Sequence, residues 1–528
     1  VRRGTGEADL DLTSVAIWSL AGLAALLCLW ELSRSGMLFG VTEYDDAAYF
    51  GSAVRLVHGV LPYRDFYLVQ PPGLVLLLTP LAWLSEAIGT RDALAVGRLC
   101  IPLVAAAQVL LVGRLVRHKG LAPTFVGCAV IALYTDAISS THTIVLEPLL
   151  VLFCLGALAL AFDNGHLRQD RRVFFAGLLL GASGAVKLFA IVPAAVLAVH
   201  YWRSWRSLGR LVAGAVAGFA LLAGPFIVLA PSAFIHQVFA VQLHRQLLVR
   251  TPLNLRLSHM LGLSGFSSNY IGMTATAGVI VVVGVLLVAF VATGYVFAAR
   301  DRAGLSQLDT FSLATSILVV VMFLVPAEFY YHYADLLGPF LALAIATATG
   351  GILTATRTAT GTDGLSRTDS RSARALAVLA IVLVAGAAAG QLISSSQIDG
   401  ADSARGVDAV VPAGACTVSD SPALLVTADR LVSSTPGCPQ LVDALGLSLS
   451  IDTGASPAIV GTVTPQLVDT WLSIIGKADY VVLSSAADLR IPVAPAITNE
   501  LRRDFSRHVE PGGVVVFVRH GSPVASSS

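Results

Sequence analysis

For its first three quarters the chain alternates long apolar runs with short polar joints, and then it changes character. Many of the runs approach the twenty or so residues that a helix needs to cross a hydrocarbon core. The pattern predicts spans over Ser14–Trp30, Leu94–Val112, Leu121–Tyr134, Ile144–Phe162, Val173–Ser183, Phe189–Tyr201, Leu211–Leu229, Ala275–Phe297, Phe311–Val325, Leu336–Thr349 and Ala375–Leu392. Basic clusters at Arg2–Arg3, Arg114–Lys119, Arg168–Arg172, Arg203–Arg210, Arg300–Arg302 and Arg357–Arg374 punctuate them. Assigned to the cytoplasm, these clusters fit one alternating path of about eleven helices with the N-terminus inside. Val1 reads as an alternative start, and Ser14–Trp30 as a retained span rather than a removed signal.

Two segments depart from simple crossing. Pro72–Ala87 is apolar enough to span, but a crossing there would put the later basic clusters outside, so a re-entrant or juxtamembrane helix is expected. The first outer loop then runs over residues 31–93 and holds an amphipathic helix, Asp45–His58. Arg172–Arg203 is basic at both ends and so crosses twice. Its thirty-odd residues give about 48 Å of helix, which predicts two short helices meeting near "GASGAVK", with Lys187 toward the outer half.

Residues 395–528 carry polar turns, short β-rich runs (Tyr480–Leu483, Val514–Val518) and helical patterns (Pro465–Lys477, Ile497–His508). They read as a small extracytoplasmic α/β domain after a membrane domain at 1–394. Cys416 and Cys438 lie in it, a pair that suggests a disulfide and an oxidising compartment. Composition agrees: 528 residues, 55% hydrophobic, 13% charged, with a mean hydropathy of +0.77. A soluble chain could not cover its surface with so few charges. The formal net charge of +1 names no partner, and no nucleic acid is expected.

The candidate chemistry lies in the outer loops. Asp45 and Asp46 in "VTEYDDAAYF" are adjacent acids at a helix start; one could act as a general base on a hydroxyl, the other orienting it or holding a cation. A solvated helix N-terminus is the bland alternative. Glu147 opens the span Ile144–Phe162, with Asp136 and His142 flanking the same loop. Opposite charge comes from Lys187, one of only three lysines, and from Arg64 in "PYRDF". The loop Pro231–Met273 adds His236, His244, Arg245, Arg250, Arg256 and His259, a basic run suited to phosphate or to anionic lipid headgroups. "PAEFYYHYAD" supplies Glu328, Tyr330, Tyr331, His332 and Asp335, an interfacial belt or a sugar site. Acids for an acceptor hydroxyl and cations for a leaving phosphate suit glycosyl transfer from a lipid phosphate. A transporter or flippase of a lipid-linked sugar is the alternative, but transporters gather polar groups near the midplane rather than at the outer ends.

"EYDDAAYFGSAVRLVHG", "LPYRDFYLVQPPG", "TDAISSTHTIVLEPLLVLF" and "GLLLGASGAVKLFAIVP", in that order, resemble the GT-C superfamily of integral-membrane glycosyltransferases. The likeness is to the protein-mannosyltransferase and aminoarabinose-transferase families and to actinobacterial mannosyl- and arabinosyltransferases, and it covers about Ser14 to Tyr201. It implies an inverting transfer of arabinofuranose or mannose from a polyprenyl-phosphate donor to a cell-envelope glycan or glycolipid. Asp45 would be the base beside Asp46, Glu147 the second-loop acid, and Lys187 a contact to the donor phosphate along with Arg64, Arg245 and Arg250. Tyr63, Glu328, Tyr331 and His332 are assigned to substrate. Gln70 stands where relatives often carry a basic residue before Pro-Pro. A divalent cation (Mg, Mn or Ca) is needed by some relatives and not by others. A monomer in the cytoplasmic membrane is expected.

Overall fold

The computed structural model describes residues 5–244, 250–264, 273–301, 304–360, 382–396, 399–400, 404–451, 463–485 and 489–525. Its first helices are α1 (Thr5–Leu32), α2 (Tyr44–Val57), α3 (Gly73–Leu77), α4 (Thr79–Ile88), α5 (Thr90–Val116), α6 (Leu121–Ala132), α7 (Thr135–Ser139), α8 (Leu146–Ala161), α9 (Arg172–Val186), α10 (Ile191–His200) and α11 (Trp205–Leu229). Met273–Arg300, Gln307–Leu324, Leu337–Thr360 and Val382–Ser395 follow. Among the described residues, six helices are long and apolar enough to cross a membrane: α1, α5, α11 and those at Thr276–Arg300, Gln307–Leu324 and Tyr331–Thr356. The remaining predicted spans correspond to shorter apolar helices of 10–17 residues, and the first part of Ala375–Leu392, up to residue 381, lies outside the described residues.

The doubly basic stretch is a hairpin. The Tyr201 hydroxyl donates to the carbonyls of Ala161 (3.3 Å) and Arg168 (2.9 Å), so the C-termini of α8 and α10 meet the N-terminus of α9. The other ends of α8 and α9 carry Glu147 and Lys187. The hairpin is held from outside by α11 through small residues. A Cβ at Gly181 would lie 2.0 Å from the Ala215 carbonyl oxygen, and one at Gly214 would lie 2.0 Å from that of Phe174. Gly177–Gly181 and Gly214–Gly218 therefore let the two backbones touch, as small residues four apart do between membrane helices.

The apolar segment after Pro72 does not run as one helix. It breaks at Leu78 into α3 and α4, five and ten residues long. Ten residues rise only about 15 Å, too little to cross. α4 lies along α2 and α5, which suits the juxtamembrane reading. α2 differs from its expected amphipathic character, because Asp46 through Arg55 are all buried. The helix Pro422–Thr427 covers the face that the sequence leaves for solvent: a Cβ at Gly51 would stand 3.2 Å from Val442 and 3.8 Å from Val426.

Residues 404–525 form a mixed four-stranded sheet in the order Thr417–Ser419, Tyr480–Leu483, Val515–Arg519, Phe505–Val509. The first pair is parallel and the others are antiparallel. Helices Pro465–Lys477 and Pro495–Asp504 pack Trp471, Ile475, Ile497 and Leu501 into its second core. A disulfide joins Cys416 and Cys438. One expectation fails here. The helical pattern of Ile497–His508 stops at Asp504, and Phe505–Val509 is a strand. Gly512 and Gly513, both at φ 78°, turn the chain so that this segment pairs with Val515–Arg519, and the ladder overrides local helix preference.

Candidate active site

Glu147 begins α8 and is fully buried. An isolated carboxylate there would be costly, and two basic side chains from distant segments meet it. Lys187 sits at the hairpin break, in extended geometry (φ −152°, ψ 135°), and its ammonium pairs with Glu147 Oε1. His332, from the two-turn 3-10 helix Tyr331–Leu336, brings Nδ1 to 2.9 Å from Glu147 Oε2, within ion-pair range but off the line of a hydrogen bond. Lys187 Nζ also lies 4.1 Å from the ring centre of Tyr333 and 4.7 Å from that of Phe189. Such aromatic faces stabilise a desolvated cation. The Pro-Pro-Gly segment supports this tip, since a Cβ at Gly73 would be 2.5 Å from the carbonyl oxygen of Ala185. Only glycine allows that approach.

The two adjacent aspartates have separated. Asp46 is fully buried and takes a fork from Arg98 of α5, with Oδ2 at 2.5 Å from Nη2 and 3.0 Å from Nε. Arg98 Nη1 also donates to the carbonyls of Met37, Leu38 and Gly40, each at 2.9 Å. This two-donor contact to a single carboxylate oxygen pins the first turn of α2 to α5. Asp45, one residue earlier, is only half-buried. Its charge and that of Glu147 both act on Tyr49, whose phenol is pushed well above the usual tyrosine range by burial first and by those carboxylates second. Tyr49 thus lies within electrostatic reach of both Asp45 and Glu147. Glu43 accepts a hydrogen bond from the Tyr331 hydroxyl and faces His332, His142 and Asp45. Burial raises its carboxyl above the ordinary value, and the Tyr331 bond opposes that rise.

The sequence pattern of Glycosyltransferase family 87 matches residues 68–327. The structure aligns with ArnT from Cupriavidus metallidurans bound to undecaprenyl phosphate at a TM-score of 0.56, over 100% of both chains and at 14% identity. The chain thus has a GT-C-like fold, and just under half of it matches the pattern of a glycosyltransferase family. The oligosaccharyltransferase of Archaeoglobus fulgidus has a similar fold, with a TM-score of 0.52 and 14% identity over 95% of this chain and 73% of that one. No curated protein matches the sequence.

Within this GT-C fold, several residues assigned from sequence lie elsewhere. Arg64 is half-exposed and held by Asp65 at 2.8 and 2.7 Å, so its guanidinium is committed to a surface pair. Tyr63 is a packing residue: its ring contacts Phe226 and Phe234, and its hydroxyl donates to the Gln70 carbonyl at 2.7 Å. Arg250 donates to the Leu324 carbonyl, and Arg256 to those of Thr251, Phe323 and Ala327. The basic loop thus closes the end of the Gln307–Leu324 helix. His236 binds the Ser450 carbonyl, and His259 meets Asp136 at 2.6 Å. Arg245 lies outside the described residues. Glu328 is half-buried in its loop. Arg98, Glu43 and Tyr49 escaped sequence reasoning. A lone arginine inside an apolar run is a signal for the first, but nothing local names its partner. Among the described residues, no three His, Cys, Asp or Glu side chains converge to hold a metal ion.

Proposed function

We propose that this glycosyltransferase moves a sugar, arabinofuranose or mannose, from a polyprenyl-phosphate donor to a hydroxyl of a cell-envelope glycan or glycolipid, with inversion. The observation that carries the reading is the buried Glu147–Lys187–His332 cluster, together with the half-exposed Asp45 whose charge reaches Tyr49 as that of Glu147 does. The undecaprenyl phosphate bound to ArnT, which shares this fold, supports a lipid-phosphate donor.

Asp46 is fully buried against Arg98, whereas Asp45 is half-exposed, which favours Asp45 as the base. The acceptor oxygen attacks the anomeric carbon, its proton passes to the Asp45 carboxylate, and the bond from that carbon to the phosphate oxygen breaks. The lipid phosphate leaves with the electron pair. Lys187 has three donors and gives one to Glu147, so others remain for the departing phosphate, where charge grows in the transition state. Arg114, Arg117, Arg168, Arg171 and Arg172 gather at the far end of the bundle, which supports a cytoplasmic assignment for that end and an outward one for the site.

The purified full-length chain, given labelled polyprenyl-phosphate arabinose or mannose and a short glycan acceptor, is expected to form labelled glycan. Label that crosses a sealed vesicle with no new glycosidic bond would instead support a transporter.

A further inference from the structure

The residue before the base is gripped by the C-terminal unit, 399 positions away in sequence. The Tyr44 hydroxyl donates to Asp443 Oδ1 at 2.8 Å and accepts the Leu445 N–H at 3.1 Å. Asp443 caps the helix Ala444–Ile451, taking the Gly446 N–H on the same Oδ1 at 2.7 Å. The guanidinium of Arg490 covers the Tyr44 ring, 4.4 Å from its centre. Arg490 is itself anchored through its backbone N–H to Asp420, a buried carboxylate that also holds Ser484. At its other end the Ala444–Ile451 helix receives His236 on the Ser450 carbonyl, and Leu449 packs with Val69 and Val241. The helix is therefore a strut fixed to the membrane bundle at one end and to Tyr44 at the other.

We infer that Asp443 and Arg490 are positioning residues for Asp45, acting through Tyr44. The inference rests on the reading of Asp45 as base. Arg98 fixes the first turn of α2 from one side through Asp46, and Asp443 with Arg490 fixes it from the other through Tyr44. Asp45 stands between these two anchors with its own carboxylate left half-exposed. Burial and the Asp443 charge keep the Tyr44 phenol well above the usual tyrosine range, so it remains a donor at neutral pH. Small displacements of a reacting group can cost about 100-fold in rate.

The test uses the full-length protein in detergent. Tyr44→Phe keeps the ring under Arg490 but loses both hydrogen bonds. Asp443→Ala frees the hydroxyl, whereas the amide oxygen of Asp443→Asn can still accept both donors. Tyr44→Phe and Asp443→Ala are expected to lower kcat by about 10- to 100-fold with the donor KM within about twofold, and Asp443→Asn to recover most of that loss. Hydrogen exchange over residues 44–50 supplies a readout that needs no activity, with protection expected to fall at least about tenfold in Tyr44→Phe. Unchanged exchange, or a kcat that stays at the wild-type level, overturns the inference. If wild-type protein transfers no sugar, the proposed function fails, and exchange still decides whether the grip exists.

Discussion

Two lysine–carboxylate pairs, one fully buried and one with a half-buried lysine, sit at opposite ends of the same bundle. At the far end, Lys119 meets Asp309 at 2.7 Å. Asp309 also accepts the Ser306 N–H at 2.9 Å and the Thr347 hydroxyl at 2.7 Å, closing a capping box on the Gln307–Leu324 helix. That carboxylate is fully supplied and ties two helices and a loop. At the site end, Glu147 depends on a lysine ammonium and a histidine ring rather than on fixed neutral donors, and Glu43 lies within electrostatic reach of His332 and Asp45. A buried pair by itself is thus no mark of function. The difference lies in surplus charge that the fold gathers without neutralising locally.

Removing each lysine should expose that difference. Lys187→Met strands Glu147 without its ammonium, and breaking a buried pair costs about 3–5 kcal/mol. Thermal melting in detergent should fall sharply, and residual transfer should drop by at least about 100-fold. Lys119→Met leaves Asp309 with its hydroxyl and amide donors. It should cost about 1–3 kcal/mol in the same melt and leave kcat and KM as in wild type. If Lys119→Met abolished transfer while Lys187→Met spared it, the contrast between the two ends would be wrong.

The acid surplus has a pH signature. Glu43 is raised above its ordinary value near 4.5 by burial, so the folded state holds its proton more tightly than the unfolded chain. Its stabilising effect is complete below that value and is lost as pH rises toward the folded-state pKa. Glu43→Gln should flatten this decline when melting midpoints are followed from pH 4 to pH 7. An identical slope in both proteins would remove Glu43 from the cluster. The smallest effect belongs to Arg64→Ala, which should leave donor KM unchanged because its partner is Asp65 at the surface.

The membrane helices were legible because apolar runs and basic joints follow directly from the solvent on each side. The Lys187 break was legible too, since a stretch too short for two full crossings yet basic at both ends must turn inside. What a cation binds was not. Arg250 and Arg256 read as phosphate ligands, but a guanidinium serves carbonyl oxygens equally well, and the helix end that needs closing lies about seventy residues on. The split of Asp45 from Asp46 depended on Arg98, 52 positions away. The grip on Tyr44 crosses about three-quarters of the chain. Periodicity reports which face is buried, not what buries it, and α2 is the example.

The most direct test is single-turnover transfer by Asp45→Asn with labelled polyprenyl-phosphate sugar bound. Donor binding and melting should match wild type while product formation falls by about 100- to 10,000-fold. Product at the wild-type rate would contradict the assignment of Asp45 as the base.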